Sequence, residues 1–93
     1  MSAEIELDPR LDYQAVAPLV GQLADAKDDD LILNARHVVH VGALALQVVL
    51  SMVKARASAG QTTRLVNATD TCVDQLGLFG FSPETLTNPE TWT

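Results

Sequence analysis

The chain has one cysteine, Cys72, in 93 residues. One thiol cannot build an internal disulfide framework, nor can it supply a cysteine-based zinc site. Aromatic residues make up only 4% of the chain, too few for a platform on which bases stack. Bases are scarce too: 6 Lys and Arg stand against 12 Asp and Glu, for a formal net charge of −6. Affinity for nucleic acid comes mostly from cations that neutralise phosphates, so no nucleic-acid partner is expected. Long apolar runs are missing as well. The longest, Val38 to Val53, is broken by His40, Gly42, Gln47 and Ser51 and falls short of the ~20 residues a membrane span needs, so no membrane insertion is expected. Met1-Ser-Ala-Glu-Ile-Glu6 has neither a basic region nor an apolar core. No secretory signal is read there, and the expected location is the cytoplasm.

What is present is a hydrophobic content of 47% in 10.0 kDa, which is ordinary for one globular domain. Residues 1–93 are expected to form that domain, with a frayed tail from residue 87. The charges are segregated. Residues 1–30 hold eight acids and two bases, and residues 70–93 hold four acids and no base. Between Leu31 and Thr69 there is no acid, only Arg36, Lys54, Arg56 and Arg64. Such a stretch is either mostly core or a neutral-to-basic face turned toward a partner.

Periodicity gives the elements. Ala3-Glu-Ile-Glu-Leu7 alternates as a half-buried strand does, and Asp8-Pro9 stops it. Tyr13, Val16, Val20, Leu23 and Ala24 then fall on one face of a helix capped by Asp12. Pro18 sits awkwardly in it, implying an irregular first turn or a later start near Ala17. Asp28-Asp29-Asp30 reads as a solvated turn. Leu31-Ile-Leu33 suits a central parallel strand buried on both faces. Gly42 to Ala59 is a long Ala/Leu helix on which Gln47, Ser51, Lys54 and Ser58 make one narrow polar stripe, continued by Leu44 and Ala43. Nearly all the rest of that helix except Arg56 is apolar, so burial over most of its circumference is expected, with Gly60 closing it.

Thr63–Val66 reads as a third strand. A helix follows, capped at Thr69 or Asp70, with Cys72, Val73, Leu76 and Phe79 as its apolar face and Gly80 at its end. Ser82-Pro83-Glu84 starts a further helix, and Trp92 alone offers to pin the tail. Strand–helix alternation of this kind predicts an α/β domain, a mixed and mostly parallel sheet of about four strands with three to four helices.

Chemistry is thin. His37-Val-Val-His40 has suitable spacing for two ligands, but no carboxylate or cysteine lies between residues 31 and 69 to complete a site. Cys72, on an apolar helix face, reads as a small hydrophobe. There is no nucleophile elbow, and Gly77-Leu-Phe-Gly80 lacks the ending of a phosphate loop. No catalytic residue, metal site or cofactor is expected, and the chain is not expected to be an enzyme.

Leu31-Ile-Leu-Asn-Ala-Arg-His-Val-Val-His-Val-Gly-Ala-Leu-Ala-Leu46 resembles the signature region of STAS domains, the fold of bacterial anti-sigma factor antagonists. There an apolar strand and short loop lead through Asp-Ser-Ser/Thr-Gly-Leu into a long helix. Arg64-Leu-Val-Asn67 resembles the family's next strand and Cys72–Phe81 its following helix, so the likeness runs from about Ile5 to Leu86. Gly42, Ala43, Leu44 and Ala45 hold the Asp-Ser-Ser/Thr-Gly positions, and the hydroxyl that partner kinases phosphorylate is missing. Val41-Gly-Ala-Leu-Ala-Leu-Gln47 is most similar to the small STAS proteins of alphaproteobacterial chemotaxis operons.

The resemblance implies a protein partner, foremost a chemotaxis histidine kinase, met by His40, Gly42, Ala43, Leu44, Gln47, Ser51 and Asn67. It also admits two other roles. One is an anti-sigma factor antagonist, which binds an anti-sigma factor kinase. The other is an accessory subunit of a lipid-transport ATPase.

Overall fold

Strand β1 (Ser2–Glu6) runs parallel to β3 (Asp30–Asn34), and β3 in turn runs parallel to β5 (Thr63–Val66). The order β1-β3-β5 makes β3 the central strand of three. This computed structural model describes residues 2–26 and 30–92; Asp28 and Asp29 of the expected acidic turn lie outside them, and Asp30 opens β3. A second, two-stranded parallel pair is formed by β2 (Arg10–Leu11) and β4 (His40–Val41). The helices are α1 (Tyr13–Asp25), α2 (Ala43–Ser58), α3 (Asp70–Leu78) and the short α4 (Pro83–Leu86), followed by a 3-10 turn at Pro89–Trp92. The fold is the expected α/β class, with a small, mostly parallel sheet and its helices.

Both crossovers, β1–α1–β3 and β3–α2–β5, step the same way across the sheet. Right-handed connections therefore put α1 and α2 on the same face, where they pack against each other. Ile5, Leu31 and Leu33 point into that layer and meet Leu19 and Leu23 of α1, Val49 and Val53 of α2, and Cys72 and Leu76 of α3. The alternate residues tell the other half. Glu4, Glu6 and Arg64 are exposed, and Ile32 is only half-buried. The sheet is thus covered on one face, and the expectation that β3 is buried on both faces is corrected. Ile32 is flanked by Glu4 and Arg64 in the strand register, so its second face is a polar surface.

The reading of the first helix also changes. In α1 the buried residues are Ala15, Leu19 and Leu23, while Tyr13 is 72% and Val20 47% exposed. The apolar face is rotated from the one expected, because a helix this rich in Ala and Val carries two apolar stripes and only packing selects between them. The helix starts at Tyr13 and runs unbroken through the exposed Pro18. Burial of Leu19 and Leu23 one turn further on outweighs the ~3 kcal/mol that an internal proline costs. In α2 the fully buried residues are Ala45, Leu46, Val49, Val53 and Arg56, and Val48, Leu50 and Met52 are half-buried against the same core, so most of the circumference is covered as expected. The opposite stripe, Leu44, Gln47, Ser51, Lys54 and Ser58, is exposed as expected.

The expected caps are in place. The Asp12 side chain accepts from Gln14 N, and Thr69 Oγ1 accepts from Cys72 N. Ser82 and Thr85 form a capping box. Gly80 takes φ +86 after α3, a left-handed conformation that favours glycine. Trp92 donates from Nε1 to Thr85 O (2.7 Å) and meets Phe81 edge-on at 6.0 Å, so the stretch expected to fray is tied down at this residue. Among the described residues no helix is long and apolar enough to cross a membrane.

Candidate functional site

The β2–β4 pair positions the site. Each of these two-residue strands runs directly into a helix: β2 through Asp12 into α1, β4 through Gly42 into α2. Because the strands are parallel, with Arg10 opposite His40 and Leu11 opposite Val41, both helices begin side by side. Gly42 N donates to Leu11 O at 2.7 Å. A Cβ on Gly42 would stand 3.0 Å from Leu11 O and 3.5 Å from Asp12 Cα, so the close approach of the two helix starts favours glycine here.

The segment leading into α2 is held from beneath by α3. Gln75 acts as a short strand would: its Oε1 accepts from Val41 N, and its Nε2 donates to Val39 O at 3.2 Å. Thr69 Oγ1 donates to Val38 O at 2.7 Å while capping α3. On the other side Val39 N donates to Pro9 O at 2.8 Å. Ala35 and Val38 are fully buried below this segment, so it is a packed element.

The surface so built has exposed apolar residues at both helix starts, with Asp8 and Asp12 at its α1 edge. Leu44, in the first turn of α2, is 55% exposed, Val39 51% and Tyr13, the first residue of α1, 72%. Leu44, Gln47 and Ser51 share one exposed helix face, beside the exposed Ala43. Gly42 gives α2 no side-chain cap, and its first turn holds no acid, so the positive end of the helix is uncompensated. Asp8 and Asp12 line one groove at the start of α1, and the Asp12 carboxylate is shared between Gln14 N and Arg10 Nε, 3.7 Å away.

Of the residues singled out in the sequence, His40, Gly42, Ala43, Leu44, Gln47 and Ser51 form one continuous surface. His40 and Gly42 are not simply loop residues, since His40 lies in β4 and Gly42 caps α2. Asn67 stands apart. It takes φ +57 at the end of β5, and its Nδ2 donates to Asn34 Oδ1 (3.4 Å) in a network on the open face of the sheet. Tyr13, Val39 and Gln75 were missed. Tyr13 carries a misleading core signal, Val39 lies outside any regular element just before β4, and Gln75 on α3 acts through a distant contact that helical spacing does not show.

His37 and His40 do not converge as ligands. His37 is in a turn, 4.0 Å from Glu6 Oε1, and His40 is in β4. Among the described residues no group of three or more His, Cys, Asp or Glu could hold a metal ion. Cys72 is 3% exposed, and burial raises its thiol above the usual range, which disfavours the nucleophilic thiolate. No protein-family model and no curated protein matches the chain.

Proposed function

We propose that the chain is a STAS-type interaction module of bacterial cytoplasmic signalling that acts by binding a protein and catalyses no reaction. One observation carries this reading: the exposed Leu44, Val39 and Tyr13 gather at two adjoining helix starts, where the STAS resemblance puts the partner site. An apolar centre ringed by polar groups is the composition of a docking surface.

The preferred partner is a chemotaxis histidine kinase. Gly42, Ala43, Leu44 and Ala45 offer no hydroxyl at the start of α2, so binding there proceeds without the phosphate switch of regulated antagonists. A standard interface takes ~800 Å² per partner, an area the start of α2 and its neighbours are able to supply.

A pull-down with the tagged chain from its native cytosol, with identification by mass, tests this. Recovery of a chemotaxis kinase is the expected result. An anti-sigma factor or a transporter ATPase would replace the kinase by one of the alternative partners. Incubated with the recovered kinase and ATP, the chain should gain no phosphate. A mass gain of one phosphate at Ser51 or Thr69 would contradict unswitched binding.

A further inference from the structure

The uncovered face of the sheet has a charge order that the register makes explicit. Glu4 on β1, Ile32 on β3 and Arg64 on β5 stand in one row, and Glu6, Asn34 and Val66 in the next. In the second row the charge is matched internally, since Arg36 pairs with Glu6. In the first row Glu4 Oε2 accepts from Nδ2 of the buried Asn34 at 3.3 Å, a neutral donor that leaves the carboxylate charge unbalanced. Glu4 and Arg64 lie two strand spacings apart, about 10 Å, too far to meet across Ile32. Among the described residues neither takes part in an ion pair.

We infer that this face is a self-association surface whose occupant is a second copy of the chain. Two such sheets packed face to face about a two-fold axis running along β3 bring β1 of each copy opposite β5 of the other. Glu4 then faces the partner's Arg64, the reciprocal contact forms as well, and Ile32 meets its own counterpart on the axis. An axis across the strands would instead oppose Glu4 to Glu4. The row is therefore complementary to itself in one arrangement and repulsive in the other, and a two-fold contact closes as a dimer.

Two strands of five residues and one of four give a face of at most about 14 by 17 Å, roughly a third of the ~800 Å² per partner of a stable interface. The dimer is accordingly weak and reversible. Asp30 stands on the same face at the start of β3, its Oδ1 accepting from Thr62 N at 3.0 Å. The axis brings the two Asp30 carboxylates together, so Asp30 opposes association.

Sedimentation velocity of the full chain at low salt, over about 0.05 to 1 mM, is the test, a range set by the small area. The wild type should sediment faster as concentration rises. Glu4→Arg and Arg64→Glu should each weaken association roughly tenfold, because each turns two symmetry-related pairs from attraction to repulsion. An equimolar mixture of these two variants should regain it, because the charges again oppose. Asp30→Asn should strengthen it severalfold while keeping the acceptor for Thr62. Circular dichroism checks that each variant is folded. A wild type that stays monomeric throughout, or association that the mixture fails to restore, would overturn the proposal. The partner-binding surface lies at the helix starts, so neither result bears on it.

Discussion

Arg56 is the side chain on which the packing of α1 against α2 and β5 most directly depends, and its removal makes a quantitative test. It is 2% exposed, in the last turn of α2. Its Nη1 donates to Ala26 O, at the end of α1, at 2.9 Å, and its Nε donates to Thr63 Oγ1, at the start of β5, at 3.3 Å. Arg56→Ala removes both and leaves the Ala26 carbonyl buried without its donor. A hydrogen bond to a charged group contributes about 1.5–3 kcal/mol, and a cation near a helix C-terminus ~0.3–1 kcal/mol more.

One term opposes these. The Nη2 atom is buried with no hydrogen-bond partner, and truncation relieves that desolvation. The balance is a loss of about 2–4 kcal/mol, a large part of the 5–15 kcal/mol that typically holds a domain folded. With a urea slope of about 1–1.5 kcal/mol per M for a chain of this size, the unfolding midpoint should fall by roughly 2 M. Urea titration followed by circular dichroism measures it. A midpoint unchanged within about 0.3 M, or a higher one, would show the buried charge to be a net liability and refute the reasoning.

Three further outcomes are expected. Cys72 should resist a thiol-specific reagent in the native protein and react at once in denaturant, because burial both hides the thiol and raises its pKa; rapid native reaction would contradict the packing of α3. Asp30 should titrate below an ordinary aspartate in a carboxyl-detected NMR titration, because Thr62 N donates to it. Since its folded value is the lower one, the stability it adds is full above the unfolded value and disappears as pH falls through the folded one; an unshifted midpoint would remove that hydrogen bond from the account. Gln75→Leu keeps the volume but strips Val39 O and Val41 N of their partners; it should cost about 1–3 kcal/mol and speed amide exchange in residues 38–42, whereas unchanged exchange there would show that Gln75 does not hold this segment.

How far the sequence foretold this depends on the range of the interaction concerned. β1, β3 and β5, and the caps at Asp12, Thr69 and Ser82, are set by residues adjacent in the chain, and they stand where periodicity and capping chemistry put them. The errors lie where distant residues decide. The sequence shows Arg56 only as a polar interruption of an apolar helix; its burial depends on Ala26 and Thr63, 30 and 7 residues away. Leu31-Ile-Leu33 looks doubly buried until the register sets Glu4 and Arg64 beside Ile32. The stripe through Leu44, Gln47 and Ser51 was legible because helical spacing alone places it. The β2–β4 pair that joins it to Tyr13 was not, since two residues carry no period.

The central claim is that the helix starts around Leu44 form the docking surface. It is tested most directly by measuring the affinity of Leu44→Asp for the partner recovered in the pull-down, by titration calorimetry. Leu44 is 55% exposed in the first turn of α2, so a carboxylate there leaves the core untouched. The variant should unfold at a midpoint close to wild type and lose affinity by at least about 30-fold, the effect of burying a charge at the centre of an interface. Affinity within about threefold of wild type, from a folded variant, would place the docking surface elsewhere.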